Sequence, residues 1–191
     1  LGGEGEKAIS NILWPGFEAS WPLMITPDQA IFAGPEQDMS LGTAYSNGGL
    51  AGVLGWLPLW NTIFLLTSSL TVHIAHLGLK NGNRKQFNIW LGLTLVLGYL
   101  FVFFQGLEYY EAYAHMGLTL NTGIYGTTFF MLTGFHGFHV CLGAIILTVM
   151  LLRSLKGHFT ADDHFCFEAG SWYWHFVDVV WVCLVAFVYV M

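Results

Sequence analysis

From residue 57 onward the chain carries four apolar runs, 57–79, 87–107, 124–152 and 172–191, with Asp178 as their one formally charged residue. Each holds about twenty residues or more, enough at about 1.5 Å per residue to cross a hydrocarbon core of about 30 Å. Backbone groups in lipid must be satisfied within the chain, and no run shows the alternation of a barrel strand, so the spans are expected to be helical. The fold class that follows is all-α: a polytopic membrane bundle of four transmembrane helices, occupying residues 56–191. Composition agrees, because 9% of residues are charged, against about 25% in an ordinary soluble domain. The net charge of -6 comes from twelve acids and six bases spread along the chain. That spread makes no acidic face for a basic partner.

Residues 1–55 read differently. All five prolines lie at or before Pro58, and the tract SNGG at 46–49 adds turn chemistry, so an irregular extramembrane segment is expected. A basic stretch followed by an apolar one is lacking at the start, so residues 1–55 are not expected to be a signal peptide. The first residue is Leu1 rather than methionine, as expected of a processed or partial product. Lys80, Arg84 and Lys85 follow the first span and Arg153 and Lys156 the third, whereas residues 108–122 hold two acids and no Lys or Arg. The positive-inside rule therefore puts the basic loops on the cytoplasmic or matrix side, with residues 1–55 and Met191 opposite. Trp56, Trp60, Tyr109, Tyr110, Trp172 and Trp174 fall at the expected span ends, as interfacial belts do. Cys141, Cys166 and Cys183 show no C-x-x-C spacing, which disfavours disulfides and cysteine-bound metal.

Polar groups inside the spans carry the functional question, since ionisable residues at membrane depth are costly and mark sites or protein contacts. They come in pairs spaced i to i+3: His73 with His76, His136 with His139, His175 with Asp178, and Glu108 with Glu111 at the outer end of the second helix. That spacing puts both members on one helix face. Haem would need histidines at one depth on facing helices. His73, His76 and His175 are expected towards the inner face and His136 and His139 at mid-span, so haem and metal ligation are disfavoured. Asp178 is placed to accept the His175 N–H and fix its tautomer. Structural pairing is favoured over proton transfer for this pair. Gly92, Gly98, Gly134, Gly137 and Gly143 are expected to let neighbouring helices approach closely.

Several motifs resemble those of subunit III of the haem-copper cytochrome c oxidases. They are Asn61 and Thr62 after Leu-Pro-Leu, EYYEA at 108–112, GIYGTTFF at 123–130, FHGFHV at 135–140, RSLKGHFT at 153–160 and FEAGSWYWHFVDVVW at 167–181. They occur in the family's order and spacing from about residue 57 to the end. The quinol-oxidising relatives share WHFxDVVW, and FEAGSWY is more similar to the cytochrome c branch. The family's usual form has seven helices, so the four here correspond to its C-terminal part. A diheme membrane cytochrome and an independent proton or ion carrier are the competing classes; the first predicts a Soret band from the isolated chain.

The resemblance implies a supporting subunit without catalytic residues, haem or copper of its own. Its implied partners are subunit I, which with other subunits carries the haem and copper, and phospholipids. A separate polypeptide with the upstream helices is a further implied partner. Support of proton uptake and of turnover lifetime is the implied function. Arg153, Lys156 and His158 would meet lipid headgroups at the inner surface. Glu168, His175 and Asp178 would join the polar interior of the last helix, and His136 and His139 that of the third. The mitochondrial inner membrane is the expected location, with a bacterial plasma membrane as the alternative.

Overall fold

The computed structural model describes residues 38–120, 123–157 and 165–190. Five helices follow one another: α1 (Leu41–Gly55), α2 (Leu57–Lys80), α3 (Arg84–His115), α4 (Ile124–Leu155) and α5 (Phe165–Leu184), the last continuing as a π-helical segment, Val185–Val190. Four spans are long and apolar enough to cross a membrane: Leu41–Lys80, Arg84–His115, Ile124–Leu155 and Phe165–Val190. The architecture is the all-α bundle that the apolar runs imply.

The four spans pack in a ring, α2 on α3, α3 on α4, α4 on α5, and α5 back on α2. Phe87, Leu91, Phe101, Phe129, Phe167, Trp174 and Trp181 are fully buried inside it. Ile89, Phe103, Phe135, Phe138, Ile145, Phe176 and Val179 point outwards, an exterior suited to lipid. The ring closes around Trp174. A Cβ built on Gly98 of α3 would lie 2.7 Å from its Cη2, and one on Gly143 of α4 would lie 2.9 Å from its Cε3. These two glycines therefore admit an indole ring. Gly134 would meet the Tyr109 hydroxyl at 3.3 Å, whereas Gly92 and Gly137 have nothing within 4 Å. The expectation that all five serve close helix approach is corrected on this point: two make room for one tryptophan, and two face open space.

Three boundaries also differ from the expected ones. Residues 41–55, expected to be irregular, form α1, whose start is capped by the Ser40 hydroxyl accepting from Thr43 N–H at 3.3 Å. Gly49, at φ 56 and ψ -137, interrupts it. Contacts remote in sequence hold this segment: Met39 N–H donates to the Tyr125 hydroxyl at 3.3 Å, and Trp56 Nε1–H to the Met39 carbonyl at 3.1 Å. Trp56 is extended, and Pro58 occupies the first turn of α2, where its missing N–H costs no helical bond. The expected 1–37 part of the N-terminal segment lies outside the described residues. Next, α3 runs to His115 rather than 107, because Glu108 and Ala112 remain in the packed face. Finally, α5 starts at Phe165 rather than 172, with Phe167 packed edge-to-face on Phe87 at 4.8 Å. Trp174 is thereby carried into the centre and is no part of an interfacial belt, whereas Trp172 is exposed.

Candidate functional site

The last span docks on the first through hydroxyl groups. Thr62 Oγ1 donates to the Pro58 carbonyl at 2.8 Å and Ser68 Oγ to the Leu65 carbonyl at 2.7 Å, each within α2. Donors satisfied in this way leave lone pairs for the neighbouring helix. Trp181 Nε1–H donates to Thr62 Oγ1 at 3.1 Å, and Trp174 Nε1–H to Ser68 Oγ at 2.9 Å. Trp174 and Trp181 thus find hydroxyl acceptors on the neighbouring helix. The acceptor side of this pairing was open to sequence reasoning only as an isolated Asn-Thr pair and the run Thr67, Ser68, Ser69.

His175 and Asp178 lie on the same docked face, but they do not hydrogen-bond each other. His175 Nδ1 pairs with Ser69 Oγ at 2.7 Å, while Asp178 Oδ2 stands 3.9 Å from Nδ1, beyond hydrogen-bond reach. This corrects the expected imidazole–carboxylate bond: a serine from α2 takes that position. Asp178 is 4% exposed, and its carboxyl oxygens make no hydrogen bond of normal geometry among the described residues, although the Ser69 hydroxyl lies close enough to interact with them. His175 is half-buried. Because α5 starts earlier than expected, His175 stands opposite Ser69, in the middle of α2, rather than near the inner surface.

His136 is buried and turned to α5, with Nε2 3.2 Å from the Val177 carbonyl and its ring 5.0 Å from that of Trp181. A carbonyl only accepts, so Nε2 carries the hydrogen and Nδ1 is left as an acceptor. That Nδ1 is buried with no partner among the described residues. His139 shares the helix face but bonds locally, through Nδ1 to the Phe135 carbonyl at 2.8 Å. Both line an apolar cavity of about 230 Å³ between α4 and α5, together with Leu132, Phe135, Phe176 and Val180. A second cavity, of about 480 Å³, is walled by Tyr109, Tyr110, Tyr113 and Phe130. Among the described residues no three His, Cys, Asp or Glu side chains converge on a point. One ring nitrogen of each of His136, His139 and His175 is hydrogen-bonded within the chain itself.

Glu108 marks a separate centre, at the end of the bundle remote from the basic loops. It is fully buried, and its oxygens accept from Tyr189 at 2.5 Å and from Asn61 Nδ2 at 3.1 Å. Glu111 is exposed, so the expected Glu108–Glu111 pair is divided between interior and surface: the extended α3 buries one turn position and frees the other. Sequence reading missed Tyr189 altogether, because a tyrosine in an apolar terminal run carries no periodic signal. At the opposite end Arg153 and Lys156 are exposed at the close of α4, and Arg84 Nη2 donates to the Gly157 carbonyl at 3.1 Å. Glu168 is half-buried in the first turn of α5. His158 lies outside the described residues.

Comparison with known proteins adds the following. The sequence model of the family described as Cytochrome c oxidase subunit III matches residues 31–191. Proteins named cytochrome c oxidase subunit 3 from Oncorhynchus clarkii and Gadus morhua are each 52% identical over 133 residues. One from Scyliorhinus canicula is 53% identical over 133 residues. These alignments cover 70% of this chain and 49% of each relative, so the chain spans about half the length of the curated relatives it matches.

Proposed function

The chain belongs to the cytochrome c oxidase subunit III family, and from that premise we propose that it acts as the non-catalytic subunit III of a cytochrome c oxidase in aerobic respiratory electron transport. In this reading it packs on the catalytic subunit I, holds phospholipid, and supports proton uptake and the durability of turnover. Haem and copper reside in the partner subunits. The observation that carries the reading is the family match across residues 31–191. Its animal relatives favour the mitochondrial inner membrane over a bacterial plasma membrane.

The geometry supports a supporting role in three ways. The docked faces bury their polar groups against one another, through Ser68, Ser69 and Thr62, rather than around a reaction cleft. Arg153 and Lys156 are exposed at one end, where anionic headgroups would meet them. His136 Nδ1 is buried beside a cavity without a hydrogen-bond partner among the described residues, so a donor from water or from a neighbouring chain would complete it.

Purification of the oxidase from the source membrane tests the proposal. The chain should co-purify in fixed stoichiometry with haem- and copper-bearing subunits and with phospholipid, and the complex should oxidise reduced cytochrome c. Oxidation of quinol instead would transfer the chain to the quinol-oxidising branch, and separation from every haem protein would overturn the reading. His175→Ala and Asp178→Asn, in complexes that assemble normally, address proton uptake: unchanged pumping and turnover lifetime would leave these residues a purely structural role.

A further inference from the structure

The side chains around Glu108 carry more hydrogen-bonding capacity than they use among themselves. Asn61 Nδ2 donates to Glu108 Oε2 at 3.1 Å, and in this orientation the Asn61 Oδ1 faces away from the carboxyl. That oxygen is buried, without a partner among the described residues. One helical turn before Glu108, and on the same face, Gln105 is 6% exposed. Its Oε1 and Nε2 are likewise buried and make no hydrogen bond of normal geometry among the described residues, although the Tyr109 hydroxyl one turn on lies close enough to interact with the amide. The cluster thus calls for donors to two oxygens and for acceptors to one NH₂ group. Native interiors meet such demands with protein or with ordered water.

The type of ligand follows from that count. A cation would satisfy the two amide oxygens but not the Gln105 N–H. Water donates and accepts, and so serves all three atoms. The surroundings enclose the cluster rather than open it. Tyr189 meets Trp56 edge-on at 6.0 Å and Phe129 at 5.8 Å. Met39 is 4% exposed and is tied to Tyr125 and Trp56 by its N–H and its carbonyl. We propose that Asn61, Gln105, Glu108 and Tyr189 form an internal-water site, closed by Met39, Trp56 and Tyr125, which hydrates the Glu108 carboxyl at the end of the bundle remote from the basic loops. The site stands apart from His175 and Asp178 and does not depend on the proton-uptake reading.

A high-resolution map of the assembled complex tests this directly. Ordered water is expected within hydrogen-bond distance of Asn61 Oδ1 and the Gln105 amide. In infrared spectra, O–H bands that shift in H₂¹⁸O should be present in the native complex and lost in Gln105→Leu, which preserves bulk while removing both polar atoms. Direct pairing of these amides with protein groups in the map, or survival of the same bands in Gln105→Leu, would overturn the site. Replacement of the density by rubidium on ion exchange would identify a cation and overturn it equally. Should Gln105→Leu fail to assemble, the native map decides alone.

Discussion

Substituting Gly98 by alanine probes the closure of the ring around Trp174. The added methyl would sit 2.7 Å from Trp174 Cη2 and 3.0 Å from Cζ2, where carbon atoms prefer about 3.5–4.0 Å. The indole cannot retreat freely, because Gly143 also packs against it, where a Cβ would lie 2.9 Å from Cε3, and the Nε1–H is held by Ser68 at 2.9 Å. Overpacking of this kind costs about 1–3 kcal/mol, while alanine in a helix interior gains about 1 kcal/mol over glycine. The net expectation is a loss of up to about 2 kcal/mol. In a Trp174→Phe background the outer ring atoms are gone, so Gly98→Ala should change sign and recover about 1 kcal/mol. Denaturant titration of the detergent-solubilised protein, followed by helical circular dichroism, would give the coupling energy from the double-mutant cycle. Gly137→Ala, with nothing within 4 Å, serves as the control and should show no loss. Equal costs for Gly98→Ala with tryptophan or phenylalanine at 174 would refute the argument that this glycine exists to admit the indole.

Other substitutions test the remaining contacts. Tyr189→Phe removes the 2.5 Å bond to Glu108 and is expected to cost about 1–3 kcal/mol in the same titration, because a buried acceptor loses its donor. Glu108→Gln in the Tyr189→Phe background should recover part of that loss. Ser69→Ala deletes the partner of His175 Nδ1; a loss of about 0.5–1.5 kcal/mol is expected, with the imidazole nitrogen resonances shifted in NMR spectra. For Trp181→Phe and Thr62→Val, which remove the two ends of one 3.1 Å bond, the cycle should show coupling of about 0.5–1.5 kcal/mol. Additive losses would mean that the bond contributes nothing.

The class of fold was written in the chain, because membrane spans announce themselves by length and apolarity, which are local properties. The polar positions were visible too: His136, Asp178 and Glu108 stand out against their apolar neighbours. Partnership was not visible. The i to i+3 spacing showed which residues share a face, and suggested His175 with Asp178, yet Ser69, 106 positions away, supplies the hydrogen bond. Tyr189, 81 positions from Glu108, could not be connected with it by any periodicity. Residues 41–55 read as a loop from their turn-forming composition, and became helical through contacts of Met39 and Trp56.

Sequence alone therefore determined four apolar helices, the basic end of the bundle and the family motifs, all of which depend on neighbouring residues. Tertiary structure decided which helix meets which and at what register. It placed Trp174 between Gly98 and Gly143, gave its N–H to Ser68, and separated the Glu108 centre from Asp178. The physical reason is that an apolar face has many acceptable neighbours, whereas a buried hydrogen-bond donor or a bulky ring has very few. Only the assembled bundle brings those few into range.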